Sequence, residues 1–154
     1  MSHSIEQLRA VISYVPDEGK FIRSSGKEAK GTANSKGYLL IKVLGEIYAA
    51  HRLAWILHHG DVPTMIDHIN NNKIDNRITN LRIATATQNK ANTQLQANNT
   101  SGFKGVRRMK NDRFYAVIGH EYKKYYLGGF DTAKEAHCAY KGAAIILFGE
   151  FACP

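Results

Sequence analysis

The apolar positions along this chain change period several times, and each change predicts a different element. Ile5, Leu8, Val11 and Ile12 recur at helical spacing within and after Ser4-Ile5-Glu6-Gln7, an S-x-x-Q capping box. That predicts a short N-terminal helix, stopped by Pro16. From Tyr14 to Ala50 the strand-like pieces KFIR, GYLLIKVL and EIYAA alternate with the turn-rich PDEG, SSGKEAKGTANSKG and LGE, as in an antiparallel platform. HRLAWILHH reads as one helix with Gly60 as its C-terminal cap. After Pro63, MIDHI and LRIAT predict two short strands bracketing an asparagine-rich loop. Thr85-Ala86-Thr87-Gln88 then opens a capped helix carrying Asn89 and Asn92.

Residues 91–102, ANTQLQANNTSG, are polar and turn-forming, which predicts a linker. Beyond it GFKGVRRM, RFYAVIGH and KKYYLGGF read as three strands. Thr132 and Glu135 form another capping box, and Ala136, Ala139, Tyr140, Ala143, Ala144 and Leu147 make an apolar stripe down to Gly149. Three strands under one alanine-faced helix can be stable alone. The pattern therefore predicts an α+β chain of two domains, 1–90 and 103–154, joined by the linker.

Charge narrows the partner. The 154 residues carry 21 Lys plus Arg against 13 Asp plus Glu, a formal net charge of +8, which favours an anionic partner, nucleic acid first. Residues 1–99 hold 12 basic and 8 acidic residues and the remainder 9 and 5, so each part is +4 and neither is a charged tail. Cys138 and Cys153 have no C-x-x-C spacing, and no apolar run approaches the roughly 20 residues that span a bilayer. With no signal-peptide pattern at MSHSIEQLRAVI, a reducing cytoplasm is the expected compartment.

The chemistry gathers in IDHINNNKIDNRITNLR. Asp67 offers a hard oxygen ligand and His68 can accept a proton near neutral pH, a pairing that suits phosphodiester hydrolysis. Asn89, in the first turn of the following helix, offers a second oxygen ligand. Magnesium, held by one carboxylate, an amide, phosphate oxygens and waters, suits so thin a shell. Strict strand alternation would send Asp67 and His68 to opposite faces, so the strand has to end or twist there. Asn70, Asn71, Asn72, Asp75, Asn76 and Asn80 can hold the loop in one shape through side-chain to backbone bonds. Arg52 and Arg77 are candidate phosphate contacts, with a solvated face as the alternative; Arg82 is read the same way. His51 is either near phosphate or a helix-start residue, and His58 and His59 read as surface residues at a helix end.

DHINNNKIDNRITNLR followed by ATQNKAN resembles the HNH nuclease motif as found in phage and intron homing endonucleases, and GYLLIKVLGEIYAAHRLAWILHHGDVP resembles that group's lead-in. The resemblance spans roughly 38–92. It implies a small ββα-metal (His-Me finger) nuclease module with His68 as general base, Asp67 as metal ligand and Asn80 fixing the loop under the histidine. Asn89 falls where many relatives have a final His, and an amide there makes magnesium or manganese a better cofactor than zinc. SGFKGVRRMKNDRFYAVIGHEYKKYYLGGFDTAKEAHCAYKGAAIILFGEFA resembles the APETALA-two DNA-binding domain of plant ethylene-response factors, through G-V-R, L-G-x-F, D-T-A-x-E-A and A-Y-x-x-A-A. In that family the sheet enters the major groove of double-stranded DNA. The resemblance implies DNA contact by Lys104, Arg107, Lys124 and Tyr126, and the basic stretch adds Arg108, Lys110 and Arg113. Tyr115, Tyr125 and Tyr126 also read as core packing.

Together these imply a metal-dependent DNA endonuclease acting as a monomer or weak dimer without a protein partner. Two alternatives stay open: a catalytically inactive DNA-binding regulator, and a structural metal site on His58, His59 and His68.

Overall fold

A computed structural model describes residues 3–153. The chain folds as two compact units, 1–84 and 85–154.

In the first unit, helix α1 (Ile5–Val11) is capped as its sequence predicts, with the Ser4 side chain accepting from the Gln7 amide and the Gln7 side chain accepting from Ser4. It stops one residue sooner than expected. Ile12 begins strand β1 (Ile12–Val15), which pairs antiparallel with β2 (Lys20–Arg23) from Ile12↔Arg23 to Val15↔Lys20. The apolar run over 5–12 continues without a break into the strand, so period alone did not reveal this hairpin. Strands β3 (Thr32–Ala33), β4 (Leu39–Val43) and β5 (Glu46–Ala49) form a second antiparallel sheet in that order. Helix α2 (Ala50–His59) follows at once and ends at Gly60, whose φ of 78° only glycine takes without strain.

Ala50, Leu53, Ala54, Trp55 and Ile56 of α2 are buried. They share one core with Leu8, Ile12, Phe21, Ile41, Val43, Tyr48, Ile66 and Leu81. Those last two residues tie the hairpin β6 (Ile66–His68) and β7 (Leu81–Ile83) to the core, with a single 3-10 turn, Ile78–Asn80, leading into β7.

The second unit starts earlier than the sequence predicts. Helix α3 (Ala86–Ala91), expected to close the first domain, packs with the C-terminal elements, and the loop after it is fastened rather than free. The reason lies in Lys104, whose ammonium donates to the carbonyls of Ala91, Thr93 and Cys153. Within the loop, Ser101 Oγ donates to the Val106 carbonyl at 2.9 Å and Asn99 Nδ2 to that of Phe103 at 3.0 Å.

Strands β8 (Val106–Arg108), β9 (Phe114–His120) and β10 (Lys123–Phe130) form an antiparallel sheet with β9 central and a bulge in β10 between Tyr126 and Gly128. Helix α4 (Ala133–Phe148), capped by Thr132 and Glu135 as predicted, lies on it. Its buried row is Ala136, Tyr140, Ala144 and Phe148, one residue every four. The row therefore ends on Phe148, while Leu147 turns outward. The architecture is α+β with small antiparallel sheets and a three-stranded sheet covered by one helix.

Candidate active site and nucleic-acid face

The β6–β7 register sets Asp67 opposite Arg82 and His68 opposite Leu81. Both Asp67 and His68 are buried, at 4% and 5% exposure. Arg82 donates Nε to Asp67 Oδ2 at 3.0 Å, with its Nη2 2.9 Å from the same oxygen. Arg82 thus holds the candidate metal ligand. The strand ends at His68, and the next amide, of Ile69, donates to the Asn80 carbonyl at 2.9 Å. The His68 ring meets Asn76 Oδ1 at 3.3 Å and lies beside His51 and Tyr38, with ring centroids 5.2 and 6.0 Å away.

The asparagine loop is held by its own side chains. Asn80 Oδ1 accepts the Asn70 amide at 3.0 Å, and its Nδ2 donates to Asn70 Oδ1 at 2.9 Å and to the Asp75 carbonyl at 2.8 Å. Asn70 Nδ2 donates to Asp75 Oδ2 at 2.8 Å, and Asn71 takes the left-handed φ of 61° that asparagine tolerates. Arg77 grips Asp75 with Nε and Nη2, at 2.8 and 2.7 Å. Its hydrogen bonds are the main reason the Asp75 carboxyl is pulled down to about 2. Arg77, expected on phosphate, therefore has a loop-fixing contact of its own. Arg52 is half-buried, with Nη1 donating to the Thr64 carbonyl at 3.3 Å.

Burial lowers the His68 proton affinity; the Asn76 hydrogen bond, Asp67 and Asp75 work against that, and Lys73 reinforces it. Burial also depresses His51 to about 4, helped by His68 and Arg52. Burial thus favours the neutral form of both rings, the state a general base needs. Lys73 Nζ lies 4.8 Å from the Tyr38 ring centroid and donates to the Lys36 carbonyl at 2.9 Å.

His58 and His59 are exposed at the end of α2, where His59 lies 4.2 Å from the Trp55 ring. No group of three His, Cys, Asp or Glu suited to a metal is found among the described residues, so the three-histidine metal site has no support. What exists is one buried carboxylate, Asp67, in a hard oxygen and nitrogen environment. Asn89, the proposed second oxygen ligand, lies on α3 in the second unit. A carboxylate oxygen without a thiolate or imidazole partner suits magnesium or manganese better than zinc.

Residues 48–91 match the family model described as HNH endonuclease. An HNH endonuclease of Acanthamoeba polyphaga mimivirus is 31% identical over 120 residues, which make up 77% of this chain and 62% of the viral protein. The chain thus spans less than two thirds of that relative. A solved structure titled as DNA binding and cleavage by the HNH homing endonuclease I-HmuI is 22% identical, with a TM-score of 0.47 over 87% of this chain and 79% of that one.

The HNH segment contains Arg52, Asp67, His68, Arg77, Asn80 and Asn89. It also contains three residues whose roles spacing did not reveal: His51, Arg82 and Asn76. Pairing MIDHI with LRIAT in register would have found the Asp67–Arg82 contact. Nothing in a run of asparagines distinguishes Asn76 from its neighbours.

Outside the HNH segment, the basic residues of the second unit divide. Ala116 and Ile118 of β9 are buried, so Tyr115, Val117 and Gly119 face the other way. Pairing sets Arg107 beside Tyr115, Tyr126 beside Val117 and Lys124 beside Gly119, on that same outer face. Tyr126 is 62% exposed and its ring lies 6.0 Å from that of Tyr115, which places it off the core. Lys104 is the correction: its ammonium turns inward to three carbonyls and is not available to DNA. Arg108 pairs with Asp112 at 3.0 Å and Arg113 with Asp131 at 2.8 Å, while Lys110 is exposed in the β8–β9 turn.

Proposed function

We propose that the protein is a metal-dependent DNA endonuclease of the homing type, with His68 as general base and a double-stranded DNA contact on the outer face of the C-terminal sheet. The observation that carries this reading is His68 itself, a buried imidazole at the end of β6, where the asparagine-braced loop of an HNH segment begins. In the reaction His68 takes a proton from water, the resulting hydroxide attacks phosphorus, and the bond to the 3′ oxygen breaks. That oxygen leaves with a proton from solvent, giving 5′-phosphate and 3′-hydroxyl ends. Asp67 and Asn89 are the proposed ligands of magnesium or manganese, which when bound stabilises charge on the phosphate and the leaving oxygen. Asn80 keeps the loop under His68 in one shape.

Arg107, Lys124 and Tyr126, with Lys110 at the rim, form the proposed contact, a reading supported by their place on the outer sheet face and by the sequence motifs that resemble the APETALA-two domain. Tethering such a module raises the local concentration of the nuclease at a bound site. The protein is proposed to work as a monomer or weak dimer.

The test is cleavage of supercoiled plasmid and of phage or host genomic DNA with and without magnesium. Open-circular or linear product is expected only with metal, and His68→Ala should abolish it while leaving DNA affinity nearly intact. DNA binding without cleavage of either substrate would favour the inactive regulator, a reading in which the Asp67–Arg82 ion pair persists in place of a metal.

A further inference from the structure

We propose that Tyr122, at the tip of the β9–β10 hairpin, is a DNA-positioning residue whose hydroxyl donates to a backbone phosphate at the edge of the groove. The pairing of His120 with Lys123 leaves a two-residue turn, Glu121-Tyr122, and both residues take positive φ, at 48° and 63°. Such a turn matches the twist of the strands, but it suits Asn-Gly, because in the left-handed region a Cβ crowds the following carbonyl. The other non-glycine residues at positive φ among the described residues are Leu44, Asn71 and Asp112. Asn71 and Asp112 are of the short polar kind that tolerates this conformation, and Leu44 is followed by Gly45. Only at the β9–β10 tip do two long side chains share the strain. Packing does not account for Tyr122, which is fully exposed to solvent.

The place of the turn says what the strain serves. Tyr126 and Lys124 stand on the outer sheet face with Arg107, and Tyr122 comes next at the end of that row. Gly119, opposite Lys124, adds no side chain there, so the tyrosine is the last large group at that end of the sheet. Lys123 and Lys124 outweigh the single carboxylate of Glu121, so the tip keeps a net positive charge. Strand β10 has 8 residues, roughly 26 Å at about 3.3 Å each, whereas the major groove is about 12 Å wide. The end of the strand therefore overruns the base edges and meets the sugar–phosphate backbone. There a phenol supplies what the flexible ammonium groups do not, a hydrogen-bond donor on a rigid ring with only two torsions to fix. A contact of that kind sets register and orientation on the duplex and carries no sequence information. Backbone strain is retained at ligand contacts because relaxing it would move the group that makes them.

This inference rests on the DNA contact proposed for the outer sheet face, and its test separates the two. The full-length protein is titrated against a labelled mixed-sequence DNA duplex at several salt concentrations, since a phosphate contact is indifferent to sequence. Tyr122→Phe keeps the ring and loses the hydroxyl, and should weaken binding roughly tenfold, the worth of one hydrogen bond to a charged acceptor. The slope of log affinity against log salt should stay as it is, because a neutral phenol releases no counterion. Tyr122→Gly should weaken binding at least as much and yet raise the urea midpoint of the C-terminal unit, followed by the amide signals of β9, because glycine takes positive φ without strain. Stability and affinity then move in opposite directions, which a packing residue would not produce. Unchanged affinity in Tyr122→Phe overturns the inference, and so does a loss of both affinity and stability in Tyr122→Gly. The Phe variant keeps the turn as it is, so it decides alone should Tyr122→Gly not fold. Binding that is weakened by Arg107→Ala but not by Tyr122→Phe removes this inference and leaves the outer-face contact standing, whereas a parent protein that binds no DNA removes both.

Discussion

Lys104 and Arg107 lie three positions apart in one basic stretch, yet their side chains do different work. The Lys104 ammonium bridges the end of α3, the loop after it and the chain's C-terminal residues, and burial lowers its proton affinity. Arg107 lies on the outer sheet face beside Tyr115. A side chain that neutralises a phosphate releases counterions, so Arg107→Ala should weaken DNA binding and reduce the slope of log affinity against log salt by about one. Lys104→Ala should leave that slope unchanged and destabilise the C-terminal unit by roughly 2–3 kcal/mol through its orphaned carbonyls. Binding titrations at several salt concentrations, beside urea unfolding, separate the two. Equal slopes for Arg107→Ala and the parent protein would remove Arg107 from the interface. Charge in the sequence identified both residues as cations, but only the fold shows which cation has buried acceptors around it.

At the scale of elements, capping and periodicity carried most of the reading. All three capping boxes form, and α2, β9, β10 and α4 follow their patterns. Legibility fails where a neighbour in space decides. Strand β1 is hidden in an apolar run continuous with α1, the buried row of α4 follows the sheet under it, and α3 joins the C-terminal unit through Lys104. The same holds at the site, where His68 and the loop were legible but the Asn76 contact was not. The β1–β2 turn is a further case. Gly19, at φ 67°, comes so near the loop that an added Cβ would stand 2.6 Å from the Arg77 amide nitrogen. Gly19→Ala should therefore cost at least about 1–3 kcal/mol from backbone strain alone, and should disturb the His68–Asn76 contact, visible as a shift of the His68 ring signals. Wild-type stability in that variant would show that the turn does not brace the loop. Helix α3 is six residues long and depends on its cap, so Thr85→Ala should weaken it by about 1 kcal/mol. Amide exchange at Asn89, whose N–H donates to the Thr85 carbonyl at 2.9 Å, should quicken roughly fivefold. Unchanged exchange would mean that packing alone holds the helix.

For the chain as a folding body, the two depressed histidines make stability depend on pH. His51 is held at about 4 against an ordinary 6.5, and His68 is lowered too, each chiefly by burial. The folded state keeps these rings neutral, whereas the unfolded chain binds protons as pH falls below about 6.5. Their contribution is therefore fully present above about 6.5, declines as pH drops, and for His51 is lost by about 4. Asp75 works in a lower window: held at about 2, it favours the fold until the pH falls below the ordinary carboxylate range. A histidine term of roughly 1–3 kcal/mol is expected, trimmed by residual solvent access. Trp55, the single tryptophan, is buried in the N-terminal core, so its fluorescence follows the unit that contains both rings. Its urea midpoint should fall between about pH 7.5 and about pH 5, and His51→Phe should flatten that fall by removing one of the two protonations. A midpoint equal at both pH values would mean that the rings are not held neutral, and with that the case for His68 as a ready base at neutral pH would weaken.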